Sequence, residues 1–372
     1  MSGTSLDGVD GVLVSLDPAQ GQPLQVRAHA FCPFDADFRA VLLALNTPGD
    51  NELHTAALAA NRLARIYAQV CKQLLQMTQC SPQDIVAVGA HGQTVRHRPL
   101  EFDPDPQLGH PAVGYTLQLN NPSLLAELTG IDVVADFRTR DLAAGGQGAP
   151  LVPAFHQAIF AQAGQTVATL NIGGISNLSL LHAGGEVTGF DCGPGNALMD
   201  YWCQQHTGHP FDEDGVWAAS GQVQEALLER WMQEPFLQAL PPKSTGRDLF
   251  NPTWLNAHLN ANPEASAVDV QASLCEFTAR VCAQDLRRHA PLARQLWVCG
   301  GGALNGFLMQ RLAAALPDVR VQASDDFGLP ALQVEAAAFA WLAYKAVHRE
   351  TASLKSVTGA QGARVLGAIY PR

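Results

Sequence analysis

Apolar residues return at helical spacing in three long stretches of the chain. From Asn51 to Gln76 the stripe is Leu53, Ala57, Leu63, Ile66, Val70 and Leu74. From Asp269 to His289 it is Val270, Leu274, Phe277, Val281 and Leu286, and Val334–Val347 is apolar and rich in alanine. These spacings predict helices. Residues 9–16 alternate instead, as a strand does, and Pro18 and Gly21 end the run. Short apolar runs at 85–88, 133–135, 166–172, 187–190, 295–299 and 319–322 read as buried strands, with further helices from Asn196 to Gln205 and from Asn305 to Leu316. Strands alternating with helices predict the α/β class.

With 372 residues the chain suits two domains. The flexible stretch Asp141-Leu-Ala-Ala-Gly-Gly-Gln-Gly-Ala-Pro150 lies near the middle. Placing the boundary ahead of it gives an N-terminal domain of 1–128 plus 350–372 and a C-terminal domain of 129–349.

The charge narrows the function. A net charge of −11 is the reverse of what a nucleic-acid binder carries. An acidic surface still allows a phosphorylated ligand, because backbone N–H groups at a helix start can hold phosphate. The eight cysteines form no C-x-x-C pair and none lies near histidine at zinc-finger spacing, so a reducing compartment and no structural metal are expected. The sequence has neither a signal peptide nor an apolar run of about 18 residues, which points to a cytoplasmic protein with no membrane contact.

Three glycine-rich turns stand at strand ends. Gly3, Thr4, Ser5, Leu6, Asp7, Gly8, Val9 and Asp10 offer hydroxyls, N–H groups and the carboxylate of Asp7, a set suited to phosphate and Mg²⁺. Asn171-Ile-Gly-Gly-Ile-Ser176, with Gly173 and Gly174, follows the 166–172 strand. Gly300, Gly301 and Gly302, followed by Ala303, Leu304 and Asn305, leave the 295–299 strand. Taken singly, each is equally an ordinary turn or a close-packed helix entry. Together they form a pattern, since α/β ligand sites gather at strand ends. Neither a P-loop nor an early G-x-G-x-x-G is present.

Asp191, in Gly189-Phe-Asp-Cys-Gly-Pro-Gly-Asn196, is expected just beyond the strand, in a turn that opens a helix, as a base taking a proton from water or a hydroxyl. The rival role is a turn or cap acid, but Asn196 is the better-placed cap. Polar loop residues that could bind a sugar are His91, Gln93, Thr94, Asp136, Arg138, Gln147, Lys243, Ser244, Thr245, Gly246, Arg247 and Asp248, with Arg138 and Arg247 able to clamp a carboxylate or phosphate; for any one of them a solvated surface residue is the commoner explanation. For His91 a satisfied, half-buried histidine is the competing explanation. Glu335 reads as a first-turn acid and Asp103 to Pro106 as a turn.

The ordered segments GTSLDGVD, GAHGQTVRH, DFRTRDLAAGGQGAPLVP, NIGGISNLS, FDCGPGN, KSTGRDLF, GGGALN and EAAAFAWLA resemble the anhydro-N-acetylmuramic acid kinases over nearly the whole chain. The resemblance implies two actin-like (ribonuclease H-like) domains, each a mixed five-stranded sheet flanked by helices, around a cleft, with the C-terminal domain (129–349) carrying most of the nucleotide and catalytic site. It implies that water opens the ring of 1,6-anhydro-N-acetylmuramic acid while O6 takes the γ-phosphate of ATP, in recycling of the cell wall. It gives Asp191 the role of base, the three turns the roles of phosphate and adenosine loops, Arg138 the lactyl carboxylate, and it implies Mg²⁺ and a homodimer. A related kinase for another sugar or acid is the alternative. Family members usually carry several residues before the MSGTSLDG motif that form a first strand, whereas Met1 here is the methionine of that motif; either the start is assigned too late or the strand is absent. A sheet lacking this strand is expected to be less stable and to bind ATP more weakly.

Overall fold

The computed structural model describes every residue except Thr4, 17–23, 102–112, Arg247 and 260–264. Thr4, Arg247, the turn at Asp103 to Pro106 and the strand breakers Pro18 and Gly21 therefore lie outside the described residues. The chain parts into two compact units, Met1–Ile159 with Glu335–Arg372, and Phe160–Val334. The sequence boundaries were drawn at 128/129 and 349/350. The shift has a physical cause: the strand at 133–135 and the helix Val334–Val347 pack on elements of the first unit. A Cβ on Gly89 would lie 2.3 Å from the Phe339 carbonyl oxygen.

In the second unit one mixed sheet has five strands: β7 (Val167–Ile172), β8 (Ile175–Leu181), β9 (Val187–Pro194), β10 (Gln295–Cys299) and β11 (Arg320–Ala323). Their order is β11-β10-β7-β8-β9. β7, β8 and β9 form an antiparallel meander, and β10 runs parallel to both β7 and β11. The helix Ala267–His289 covers the sheet. Ser266 caps it, and its buried face includes Val270, Leu274, Phe277, Val281 and Leu286, the stripe that the spacing predicts. Trp231 and Phe250 complete a core in which side chains of this size are fully buried.

The first unit carries β1 (Gly8–Ser15), β2 (Gln25–Pro33), β3 (Val88–Gly89), β4 (Gln93–Arg98), β5 (Tyr115–Leu119), β6 (Val133–Ala135) and β12 (Ala368–Tyr370). Five of these form two separate ladders, β1-β2 and β12-β6-β3, and β4-β5 is a hairpin. The resemblance implies a mixed five-stranded sheet; among the described residues its strands form these separate ladders. Besides β2, β1 meets Met1: the Met1 ammonium donates to the Asp10 carbonyl at 2.6 Å and Asp10 N–H donates to the Met1 carbonyl at 2.8 Å. Beyond that pair, a cavity of about 370 Å³ separates β1 from β3, lined by Val12, Val14, Val70, Leu74, Val88 and Ala340 among others. The helix Glu52–Thr78 packs Leu63, Tyr67 and Val70 into this unit's core. No helix among the described residues is long and apolar enough to cross a membrane.

Candidate active site

Asp191 lies inside β9, which continues to Pro194, and not in a turn after residue 190. Its place is set by pairing. Cys299 stands opposite Asn171, Asn171 opposite Asn177, and Asn177 opposite Asp191. Residues directly opposite in adjacent strands share a face. Asn171, Asn177 and Asp191 are all partly exposed, while their chain neighbours Leu170, Ile172, Leu178, Phe190 and Cys192 are buried. The sheet thus presents a polar row at one end. At strand spacings near 4.8 Å, Asp191 is roughly 10 Å along that row from Asn171.

The carboxylate is held on one side. Ser244 Oγ donates to Asp191 Oδ2 at 2.8 Å and Thr245 N–H donates to the same oxygen at 2.9 Å. Asp191 N–H donates to the Lys243 carbonyl at 3.1 Å. Partial burial pushes the Asp191 carboxyl up, while the Thr245 and Ser244 donors and the Lys243 charge pull it down. A carboxylate raised above its ordinary range, whose Oδ1 accepts no hydrogen bond from a described residue, is suited to accept a proton. The Lys243 ammonium faces away from this row. It ion-pairs with Asp285 Oδ2 at 2.9 Å, both side chains 3% exposed, which corrects the expectation that it contacts sugar.

The second and third glycine turns meet around β7. Gly300 has φ 79°, and a Cβ there would lie 2.4 Å from Asn171 Oδ1. A Cβ on Gly302 would lie 2.4 Å from Ile172 Cγ2. Close packing of the turn against β7 therefore requires these two glycines. Gly301 is exposed, and the nearest atom to a Cβ there is Asn196 Nδ2 at 3.3 Å. At Gly173 a Cβ would meet only the Ile175 oxygen at 3.7 Å. The carbonyls of Gly173 and Gly174 accept from Asn196, Gly195 and Ala197 N–H groups. Asn196 makes no side-chain cap on the helix Ala197–Thr207; its Nδ2 donates to the Ile172 carbonyl at 3.1 Å. Asn305 Oδ1 caps the helix Gly306–Ala315 through Leu308 N–H at 2.9 Å.

The first turn belongs to the first unit. Ser5 and Asp7 are exposed, and Leu6 sits at φ 59° with its side chain buried. A Cβ on Gly8 would lie 2.3 Å from the Cys32 carbonyl oxygen, Val9 is fully buried, and Asp10 accepts from His29 Nε2 at 2.8 Å. Gln93 Nε2 donates to the Gly3 carbonyl at 3.1 Å, which ties β4 to this turn. Thr94 Oγ1 accepts from Gln118 Nε2 at 3.3 Å.

His91 is buried, and its Nδ1 lies 2.7 Å from the Gly92 carbonyl. That nitrogen must carry the proton, so Nε2 accepts from Arg138 Nη2 at 2.9 Å. Burial first, then the Arg138 charge, hold the ring neutral, well below its ordinary titration range. Arg138 also donates to the Gly148 carbonyl at 2.8 Å; burial lowers its guanidinium to about 10, opposed by Glu335. Glu335 keeps exposed surface, yet the surrounding protein raises its carboxyl and Arg138 draws it back. From the sequence Glu335 reads only as a first-turn acid and Asp285 is not singled out, whereas Ser244 and Thr245 stand among the candidate sugar-binding residues. The available signal for Asp285 was an acid on the buried face of a helix.

A family model described as anhydro-N-acetylmuramic acid kinase matches residues 1–372. The anhydro-N-acetylmuramic acid kinase of Variovorax paradoxus (strain S110) is 65% identical over 376 residues, covering 100% of this chain and 97% of its own. That of Albidiferax ferrireducens is 56% identical over 392 residues, covering 100% and 98%. A solved structure, the Acidaminococcus fermentans (R)-2-hydroxyglutaryl-CoA dehydratase component A, is 13% identical with a TM-score of 0.44, covering 91% of this chain and 98% of that one. On the full-length match and these identities, the chain belongs to the anhydro-N-acetylmuramic acid kinase family.

Proposed function

We propose that this enzyme, an ATP-dependent sugar kinase, opens the internal bridge of 1,6-anhydro-N-acetylmuramic acid with water and phosphorylates O6, giving N-acetylmuramate 6-phosphate and ADP. The observation that carries the reading is Asp191: a half-exposed carboxylate, raised by partial burial, oriented by Ser244 and Thr245 and standing in the polar row beside the glycine turns. The carboxylate takes a proton from water as the water oxygen attacks the anomeric carbon. The anomeric carbon–O6 bond breaks, O6 attacks the γ-phosphorus, and ADP leaves. Phosphoryl transfer asks a protein mainly for positioning and charge neutralisation.

In this reading Asn171, Gly173, Gly174, Gly301 and the first turn around Gly3 to Asp10 approach the nucleotide. Gly300 and Gly302 shape their turn through contacts with β7. Asp7 has an exposed carboxylate with no ion pair to a described residue, which fits a magnesium ion held by one carboxylate and by phosphate oxygens. That ion would neutralise charge on the transferred group. Arg138 is the cation for the lactyl carboxylate, with His91, Gln93 and Thr94 around the sugar. His91 acts there as a neutral group. The resemblance further supports a cytoplasmic homodimer working in peptidoglycan recycling.

The test is incubation with ATP, Mg²⁺ and 1,6-anhydro-N-acetylmuramic acid in ¹⁸O-water. ADP and a singly labelled sugar phosphate are expected. Asp191→Asn should lower both by several orders of magnitude. Phosphorylation of a different sugar or acid, with none of the anhydro sugar, would overturn the substrate; near-normal turnover by the variant would overturn the role of Asp191.

A further inference from the structure

The segment that holds Asp191 has little regular structure of its own. Residues 239–246 form neither helix nor strand. Yet three consecutive residues in it converge on Asp191: the Lys243 carbonyl accepts its N–H, and Ser244 Oγ and Thr245 N–H both donate to Oδ2. Donors on a segment without a ladder hold a fixed direction only if something anchors the segment.

The anchor is the side chain of Lys243. It leaves the backbone in the opposite sense and enters the core, where its ammonium lies 5.7 Å from the Phe190 ring centre and 5.1 Å from that of Phe236. There it meets Asp285 on the helix Ala267–His289 at 2.9 Å. The other ionisable groups around the pair are His289, with Nε2 3.9 Å from Asp285 Oδ1, and the buried thiols of Cys192 on β9 and Cys282 on the helix. Such a pair does not by itself add much stability, because desolvating two ions offsets their attraction. Two charges brought into an apolar core next to the candidate base therefore call for a role other than stability.

We propose that Lys243 and Asp285 are positioning residues: their ion pair fastens the 243–245 segment so that Ser244 and Thr245 stay aimed at Asp191 and set the pH at which it works. This rests on the reading of Asp191 as the base. The donors and the ammonium all favour the carboxylate form of Asp191. Loosening the segment removes that help, so Asp191 binds its proton more tightly and the acidic limb of kcat/KM moves to higher pH.

The experiment compares Lys243→Met, Lys243→Arg and the double variant Lys243→Met/Asp285→Leu with the unmutated enzyme. Readouts are the kcat/KM pH profile, KM for ATP, and folding by circular dichroism. The double variant leaves no unpaired ion in the core, so it keeps the question open to test even if Lys243→Met unfolds. Both methionine variants that fold should show the acidic limb raised by roughly one pH unit and kcat lowered roughly 10- to 100-fold, with KM for ATP within about threefold. Lys243→Arg should restore the limb. A purely structural role would lower the amount of folded enzyme and leave the limb in place. The proposal is overturned if the folded double variant keeps the original limb. Asp191→Asn separates the two ideas: if it retains activity the base assignment fails, whereas an inactive Asp191→Asn with an unmoved limb in the double variant removes only the positioning role.

Discussion

Gly302→Ala tests whether the three-glycine turn is demanded by the protein itself or only by a ligand. The new Cβ would stand 2.4 Å from Ile172 Cγ2 and 2.5 Å from Ile172 Cβ. Carbon atoms rest about 3.5–4.0 Å apart, so the overlap exceeds about 1 Å. Ile172 cannot retreat. It is 1% exposed at the end of β7, between β10 and β8, and its β-branch makes the side chain stiff at χ1. The turn must lift away from the sheet, and overpacking of this kind costs about 1–3 kcal/mol. For a unit the size of Phe160–Val334, each kcal/mol lowers Tm by about 2–4 °C. A loss of about 2 kcal/mol therefore gives a fall of roughly 4–8 °C, read by calorimetry without nucleotide. Gly301→Ala is the control. Its Cβ would meet only a side-chain nitrogen at 3.3 Å, on an exposed residue, so Tm should change by less than about 2 °C. If Gly302→Ala melts with the unmutated protein and loses only ATP affinity, the packing argument is wrong.

Three further predictions address the titrating and buried charges. His91 and His156 are held neutral by burial, His156 down to about 3. Their folded values lie below the unfolded value, so their stability is complete above about pH 6.5 and falls as pH drops through it. The pair should cost about 3 kcal/mol by pH 5.5, and a urea titration that is flat between pH 7.5 and 5.5 would refute this. Glu276, 4% exposed, accepts from Arg280 Nε at 2.7 Å and from Arg311 Nε. Glu276→Gln should cost about 2 kcal/mol in urea, whereas Glu225→Gln on the exposed rim of the same network should cost under about 1 kcal/mol; equal losses would contradict the burial argument. Asp141 is fully buried, taking Gly148 N–H at 2.8 Å and Thr358 Oγ1 at 2.9 Å. Asp141→Ala orphans both donors and should cost about 3 kcal/mol, clearly more than Thr358→Val, and matching unfolding free energies for the two would count against the shared carboxylate.

The three long helices were legible because each repeats an apolar stripe over several turns: 52–78, 267–289 and 334–347 agree with the periodicity within about two residues. β6 and β10 were equally plain, being short apolar runs closed by polar residues. β8 and β2 were not. β8 begins directly after the second glycine turn and carries buried Ser176 and Ser179, which have no apolar signature. The extension of β9 through Gly193 and Pro194 contradicts local turn chemistry. It exists because β8 lies opposite, with Ser176 facing Gly193 and Ile175 facing Pro194. The turn expected around Asp191 is therefore strand, and its local geometry was misread. Lys243 misled for a related reason: in a polar loop of the sequence its charge reads as exposed, and only the fold brings Asp285 to it.

Much of the polarity in the second unit is already committed to the protein. Asn305 caps a helix, Asn196 holds the Ile172 carbonyl, and the carbonyls of Gly173 and Gly174 take the N–H groups of Gly195, Asn196 and Ala197 at the entry to the helix Ala197–Thr207. These bonds fix the turns in place and remove those atoms from ligand binding. What remains outward is the row Asn171, Asn177 and Asp191, with Gly301 and Gly173 beside it. Preorganisation of this kind favours a transition state, because groups locked by their own bonds need not reorder as charge develops. The proposed role of the buried ion pair follows the same logic: if Asp191 is the base, a free 243–245 segment would leave it misaligned for part of each turnover, and Lys243 ties that segment to Asp285 on the rigid helix Ala267–His289.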